Sequence, residues 1–268
     1  MMKFQYTKPS FFFVGIFVIA LMMSCPIYGQ KEKELKVMAY NIHHANPPSE
    51  PDFIDIESIA KVINTSKPDF VALQEVDVNT KRSGLHLNQA EELARLTGMN
   101  YFFEPSMPYQ GGGYGNAILS KFPIEKQFFY PLPAKENSEP RSVIGVQVTL
   151  PGKQKLKFAS THLDFKNDET TALQAQAIVT YFKKEKIPVL IAGDFNAIPK
   201  SPAIQLMDKN FNRTCQGDCP PTIPVNEPNK AIDFIFYKPQ NAFVVKHHEV
   251  IAEKYASDHL PIFAILAY

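Results

Sequence analysis

Six places along the chain set polar side chains within or beside an apolar run, and they are the residue types that hold hard cations or phosphate. Asn41 follows Val37-Met38-Ala39-Tyr40, and Glu75 follows Phe70-Val71-Ala72-Leu73-Gln74. His162 and Asp164 follow Phe158-Ala159-Ser160-Thr161, and Asp194 and Asn196 follow Val189-Leu190-Ile191-Ala192-Gly193. Asp233 lies inside Ala231-Ile232-Asp233-Phe234-Ile235-Phe236, and Asp258 and His259 precede Leu260-Pro261-Ile262-Phe263. A single Asp after a strand is ordinarily a turn residue or a helix cap. Six recurrences ask for another explanation, because strand ends on one edge of a sheet converge on one crevice.

The elements that must position these residues are legible from periodicity. Leu35–Tyr40 reads as a strand entering a core, and Phe70–Leu73 as a short buried strand. Between them Asp55–Asn64 places Ile56, Ile59, Ala60 and Ile63 at helical spacing, and Lys67-Pro68-Asp69 stops that helix. Gln89–Leu96 is a second helix, closed by Thr97-Gly98. Gly111-Gly112-Gly113-Tyr114-Gly115 reads as a flexible loop leading into a strand at Asn116–Ser120. Val143–Leu150 and Leu156–Thr161 are strands joined by Pro151-Gly152-Lys153, a hairpin signal. Helices are expected at Thr170–Phe182 and at Ser201–Met207, where Pro202 suits the first turn. Further strands are expected at Pro188–Ala192, Ile232–Tyr237, Phe243–Val250 and Leu260–Leu266. Mixed strands and helices, with several strands apolar throughout, predict sheets covered by helices in an α/β sandwich.

Seven segments then match a known family in order. Met38-Ala39-Tyr40-Asn41, Leu73-Gln74-Glu75, Tyr114-Gly115-Asn116-Ala117-Ile118-Leu119-Ser120, Thr161-His162-Leu163-Asp164, Gly193-Asp194-Phe195-Asn196, Ile232-Asp233-Phe234-Ile235 and Ser257-Asp258-His259 resemble the ordered motifs of the endonuclease/exonuclease/phosphatase superfamily. That superfamily includes DNase I, exonuclease III-like repair enzymes, neutral sphingomyelinases and inositol polyphosphate 5-phosphatases. The match runs from about Leu35 to the C-terminus. Each motif alone is weak, and their order carries the resemblance. It implies a four-layer α/β sandwich, with two central, mostly antiparallel β-sheets flanked by helices as in DNase I.

The resemblance also implies roles. Glu75 would be the main ligand of Mg2+ (or Mn2+), with Asn41 beside it and Asp258 on the metal or one of its waters. Hard cations take oxygen ligands, and Mg2+ keeps several waters, so few protein ligands suffice. Asp194 would orient and deprotonate the attacking water; an ordinary Asp, with a pKa of about 3.9, is ionised at neutral pH. Asn196 would donate to a phosphoryl oxygen. His259, held by Asp233, would stabilise the phosphate and act as a general acid/base, and His162 would make a second phosphate contact. Asn116 would bind a phosphate oxygen or position Asp194. Arg82 and Arg141 would meet the phosphate or a head group, since Arg suits bidentate phosphate contact. The alternative for each is a surface ion pair. Asp164 would bind substrate hydroxyls or support His162. His43 and His44 would line the rim.

The bulk of the chain bounds these expectations. Lys3 and Lys8 precede an uncharged apolar run, Phe11–Met23, shorter than the roughly 20 residues of a membrane-spanning helix and suited to a signal peptide. We therefore expect residues 1–29 to be a signal and 30–268 one domain of an exported protein, periplasmic or extracellular. Cleavage after Gly29 is favoured over acylation of Cys25 in Met22-Met23-Ser24-Cys25, the one route by which a membrane would become a partner. The full chain has 28 basic and 27 acidic residues, and the leader carries two lysines and no acid, so the remainder is slightly negative. No broad basic field favours nucleic acid. The expected partner is a phosphoester substrate, a small molecule or lipid head group. An extracellular nuclease is the alternative, with its choice made by loops at Pro105–Gly115 and Lys200–Pro228. A noncatalytic phosphate- or lipid-binding module is a third reading, against which stands a competent residue at every position. Cys215 and Cys219 are placed to form a disulfide in an oxidising compartment. A monomer is the default.

Overall fold

Each half of the molecule is built around two parallel strands joined through a helix. In a computed structural model describing residues 1–8, 10, 32–136 and 138–268, β1 (Glu34–Asn41) runs parallel to β2 (Phe70–Val78) through helix α1 (Ile56–Ser66). Later, β7 (Lys155–His162) runs parallel to β8 (Val189–Asp194) through helix α3 (Asp168–Phe182). The expected signal segment and Cys25 fall largely or wholly outside the described residues. Every regular element of the described residues lies in Glu32–Tyr268.

Antiparallel strands extend both pairs. Around the first stand β3 (Asn100–Tyr109), β4 (Gly112–Ser120), β11 (Val244–Val250) and β12 (Ile262–Ala267), in the order β11-β12-β1-β2-β4-β3. Around the second stand β5 (Lys126–Pro131), β6 (Ser142–Thr149), β9 (Asn212–Arg213) and β10 (Asp233–Lys238), in the order β5-β6-β7-β8-β10-β9. Alternation along each strand sorts side chains to two faces. Leu35, Val37, Phe70 and Ile118 of the first sheet meet Ile144, Phe158, Leu190 and Ile235 of the second in the central core. The Phe70 and Phe158 rings lie 4.8 Å apart there, and burying such a side chain contributes roughly 1.5–3 kcal/mol. The outer face of the first sheet packs on α1 and α2 (Gln89–Thr97) through Ile59, Ile63 and Leu93. The outer face of the second packs on α3 and α4 (Pro202–Asn210) through Ile178, Phe182 and Ile204. The result is the four-layer sandwich that the resemblance implies.

The helices start where their caps lie. Asp55, Asn88, Asn167 and Ser201 each accept a backbone N–H of the first turn. One expectation needs correction. Gly112–Gly115 is not a loop; it begins β4 and pairs with both β2 and β3. A Cβ on Gly115 would meet the Glu104 carbonyl oxygen at 2.5 Å, so glycine there serves close strand approach rather than flexibility. The edge strands β3 and β5 carry no clear period in the sequence. Pro105 and Pro108 argue against a strand, yet on an edge they interrupt pairing on one side only.

Candidate active site

The C-terminal ends of β1, β2, β7 and β8 meet across the two sheets. Register puts His162 beside Asp194, and Asp194 beside Asp233, so three strands present three polar side chains in a row. Asn41 ends β1 and reaches over from the first sheet. Its Nδ2 donates to Asp194 Oδ2 at 3.1 Å and to Glu75 Oε1 at 3.0 Å. Its Oδ1 accepts the His43 N–H at 3.1 Å. That pattern fixes the amide's orientation: Asn41 clamps two carboxylates together, and its carbonyl oxygen, with one bond accepted, keeps a second lone pair. Glu75 gets there through a break in the β2–β4 register and a left-handed backbone, φ 58°. Such a bulge re-aims a side chain out of the sheet's alternation.

Asp194 is the hub. It is 1% exposed. Its Oδ1 accepts the Asn196 N–H at 2.8 Å, and its Oδ2 lies 3.4 Å from His162 Nε2 and 3.7 Å from His259 Nε2. Gly193 before it has φ 153°, and a Cβ there would meet the Thr161 carbonyl oxygen at 2.0 Å; glycine lets β8 press against β7 at this point. Burial, then the charge of Asp233, raises the Asp194 carboxyl to about 7, against the pull of His259, the Asn196 N–H and Asn41. The ordinary Asp value expected from sequence is thus corrected by desolvation.

The two imidazoles differ. His259 Nδ1 lies 3.0 Å from Asp233 Oδ2, which also accepts Thr222 Oγ1 at 2.5 Å. Burial works to lower His259, but the charges of Asp233 and Asp194 outweigh it and raise the imidazole to about 10. His162 has no such partner; burial, then the charges of Arg141 and His259, hold it well below the usual histidine value. Its closeness to Asp194 is therefore a contact of a neutral ring, not an ion pair. Ser257 Oγ donates to the Asn41 carbonyl at 2.7 Å and so ties the Asp258-His259 segment to the end of β1. Thr222 and Ser257 were not singled out from sequence. Ser257 sits inside a motif, while nothing local marks Thr222.

The donor atoms of Asp194, Asp233 and His259 lie within 4.8 Å of one another, close enough to hold a metal ion. Asp233 Oδ1 is buried without a hydrogen-bond partner. A cation at that trio would have to displace the proton that His259 holds. Glu75 and Asp258 are the better hard-oxygen donors: both are part-exposed. Among the described residues the Glu75 carboxylate has one hydrogen bond, from Asn41, and that of Asp258 one long contact, from Ser257 at 3.4 Å.

The remaining candidates divide. Asn196, at φ 47°, gives Nδ2 to the Leu163 carbonyl at 3.0 Å, leaving one amide hydrogen for a ligand. Asn116 Nδ2 reaches the Ser142 carbonyl at 3.2 Å. Asp164 is fully buried and caps the turn at Lys166 and Asn167 through Oδ1, with Oδ2 unpartnered. Arg82 spends its fork on buried Asp77, at 2.7 and 3.0 Å, beneath Tyr109 and Tyr114. Arg141 is buried near His162. His43 is half-buried on the Asn46 carbonyl, and burial, then Arg82 and His43, lowers His44 to about 4. Cys215 and Cys219 are bonded as a disulfide.

Comparison with known proteins agrees with this fold. A model of the Endonuclease/Exonuclease/phosphatase family matches residues 38–259. The uncharacterized protein YbhP of Escherichia coli K12 is 26% identical over 243 residues, covering 85% of this chain and 94% of that protein. The crystal structure of an endonuclease/exonuclease/phosphatase from Beutenbergia cavernae superposes with a TM-score of 0.73 at 25% identity, over 88% of this chain and 72% of that one. The mannosyl-6-phosphatase Bt3783 of Bacteroides thetaiotaomicron does so with a TM-score of 0.71 at 18% identity, over 87% of this chain and 100% of that one.

Proposed function

Since the chain belongs to the endonuclease/exonuclease/phosphatase family, we propose that it is an exported, Mg2+-dependent hydrolase, with Mn2+ as a substitute, that cleaves a phosphoester of a small molecule or lipid head group by attack of water. The observation that carries this reading is the geometry at Asp194: a buried carboxyl clamped by Asn41, with Oδ2 3.4 Å from His162 Nε2 and 3.7 Å from His259 Nε2, in surroundings whose desolvation raises it to about 7. A general base works best with its pKa near the operating pH. Asp194 Oδ2 accepts the proton of the attacking water. Asn41 and the Asn196 N–H hold the carboxylate in place. His259, kept protonated by Asp233, aims Nε2 at negative charge growing on the phosphoryl group, and neutral His162 and the free Asn196 amide hydrogen add fixed dipoles. A divalent cation held by Glu75 and Asp258, with Asn41 as clamp, would polarise the phosphoryl group and balance charge on the leaving oxygen.

The test is turnover of a panel of phosphomonoesters, phosphodiesters, lipid head groups and nucleic acids by EDTA-treated protein, with and without added Mg2+ or Mn2+. Cation-restored hydrolysis is expected. Silence across the panel, or turnover indifferent to EDTA, overturns the reading. Cleavage confined to nucleic acid and steeply weakened by salt would move the assignment to a nuclease.

A further inference from the structure

Strand β1 leaves the first sheet at the site, and a side chain takes its place beside β2. The two strands pair in parallel only as far as Asn41, opposite Gln74. The chain then enters a tight turn, His43–Ala45, in which three successive non-glycine residues have φ of 45°, 44° and 57°. Such a backbone is strained in L-residues and persists only where its surroundings over-determine it. Strand β2 runs on through the Glu75 bulge to Val78, with β4 still on one side. On its other side Val78 now bridges to Asn88, the cap of α2.

Gln89, the first residue of α2, fills the gap and is fully buried. Its Oε1 accepts the Asp77 N–H at 2.9 Å, and its Nε2 donates to the His44 carbonyl at 2.6 Å. An N–H only donates and a carbonyl only accepts, so these partners fix which end of the amide is which. One donor and one acceptor is what a β1 peptide group would offer there had the strand gone on. Asp77 is a firm anchor for this bridge. Its carboxylate accepts both arms of Arg82, Thr80 Oγ1 at 2.8 Å and Ser83 Oγ at 2.6 Å. Asn41 spans the same two segments in the opposite sense, accepting the His43 N–H and donating to Glu75. Two side-chain amides therefore join the segment that carries Asn41 to the one that carries Glu75. Asn41 does so at the site, and Gln89 does so one and two residues further along. Without Gln89 the Asp77 N–H and the His44 carbonyl lose their partners, and the strained turn loses a tie to β2.

We propose that Gln89 is a positioning residue for the divalent cation: by joining His44 to Asp77 it keeps Asn41 and Glu75 in the relation that presents Glu75 to the ion. The inference rests on the metal-dependent phosphoester reading, and it concerns a residue that touches neither cation nor substrate. The test uses Gln89→Met in the full protein, which keeps side-chain length and a good helix former at the head of α2 and removes both hydrogen bonds. After EDTA treatment and dialysis, calorimetric affinity for Mn2+ is expected to weaken about tenfold. The Mn2+ concentration for half-maximal turnover of bis(p-nitrophenyl) phosphate should rise by the same factor, and turnover at saturating Mn2+ should recover, because ligands and base are untouched. Circular dichroism establishes that the variant is folded. If it is not, Gln89→Glu takes its place, keeping the acceptor for the Asp77 N–H and losing the donor to the His44 carbonyl. Unchanged Mn2+ affinity in a folded variant overturns the brace, as does a loss of turnover that saturating Mn2+ fails to restore. Mn2+ binding that depends on Gln89, in a protein that hydrolyses nothing, would keep the brace and remove the hydrolase reading. Cation-dependent hydrolysis with Mn2+ affinity indifferent to Gln89 would do the reverse, and a wild-type protein that binds no Mn2+ would overturn both.

Discussion

The two sheets have one plan and different chemistry. Each orders its strands as an edge, an antiparallel neighbour, a parallel pair joined through a helix, and two more antiparallel strands. On that plan β1 corresponds to β7, β2 to β8 and β4 to β10. Asn41 then stands where His162 stands, each opposite its partner strand's residue, Gln74 in the first sheet and Asp194 in the second. The first sheet therefore offers an amide pair in register, and its carboxylate, Glu75, comes one residue later through a left-handed bulge. The second offers an imidazole and a carboxylate in register, with Asp233 next to them. The difference is one of solvent. Glu75 reaches part-exposed space suited to a hydrated cation, while Asp194 and His162 are sealed in and their proton affinities move. On the proposed mechanism the first sheet would hold the cation and the second would move protons, and the Ser257–His259 segment ties one to the other.

The sharpest way to break this comparison is at the second sheet's hub. Asp194→Asn removes the proton acceptor and keeps its shape. Turnover is expected to fall roughly 10²–10⁴-fold while binding of Mn2+ persists, and activity near wild type would discard the assigned base. Asp233→Asn is next. It takes away the charge that raises His259, so protonated imidazole is lost at lower pH and the alkaline limb of kcat/KM should move acidward. An unmoved limb would separate His259 from the rate. In the first sheet, Asn41→Ala loosens Glu75 without deleting it. Affinity for Mn2+ in calorimetric titration should fall about 10–100-fold, and an unchanged affinity would deny the first sheet its cation.

The smallest effect lies at the sheets' outer seam. His248 on β11 pairs through Nδ1 with Thr214 Oγ1, just past β9, at 2.9 Å. Burial, then the charges of His247 and Arg213, lowers it to about 4. An unfolded histidine titrates near 6.5. Below that pH the unfolded chain takes a proton that the folded one refuses, so stability falls as pH drops from about 6.5 towards 4. The loss is at most ~1.4 kcal/mol per pH unit, and less here because the ring is partly solvated. His248→Gln should shrink the drop in urea midpoint between pH 7 and pH 5, and an equal drop would place the acid sensitivity elsewhere.

Much of the site can be read from residue type and order, because strand ends and hard-oxygen donors are local features. Asp55, Asn88 and Ser201 begin helices by short-range capping, which a reader of the chain can see. β3 and β5 could not be seen, since edge strands with mixed exposure lack a clean period. Asp77 could not be matched to Arg82, nor Thr222 to Asp233, because those contacts join loops to strands by folding alone.

By itself the sequence determined an α/β sandwich, the parallel strand pairs' apolar character and the polar residues at strand ends. Those properties follow from hydrophobic period and side-chain chemistry, which no neighbour can alter. The tertiary structure alone decided that Asn41 joins two carboxylates, that Glu75 is re-aimed by a bulge, and that carboxylates raise His259 while burial lowers His162. Proton affinity and hydrogen-bond partnership depend on what lies within a few ångströms after burial, and that is set only when the two sheets close on each other.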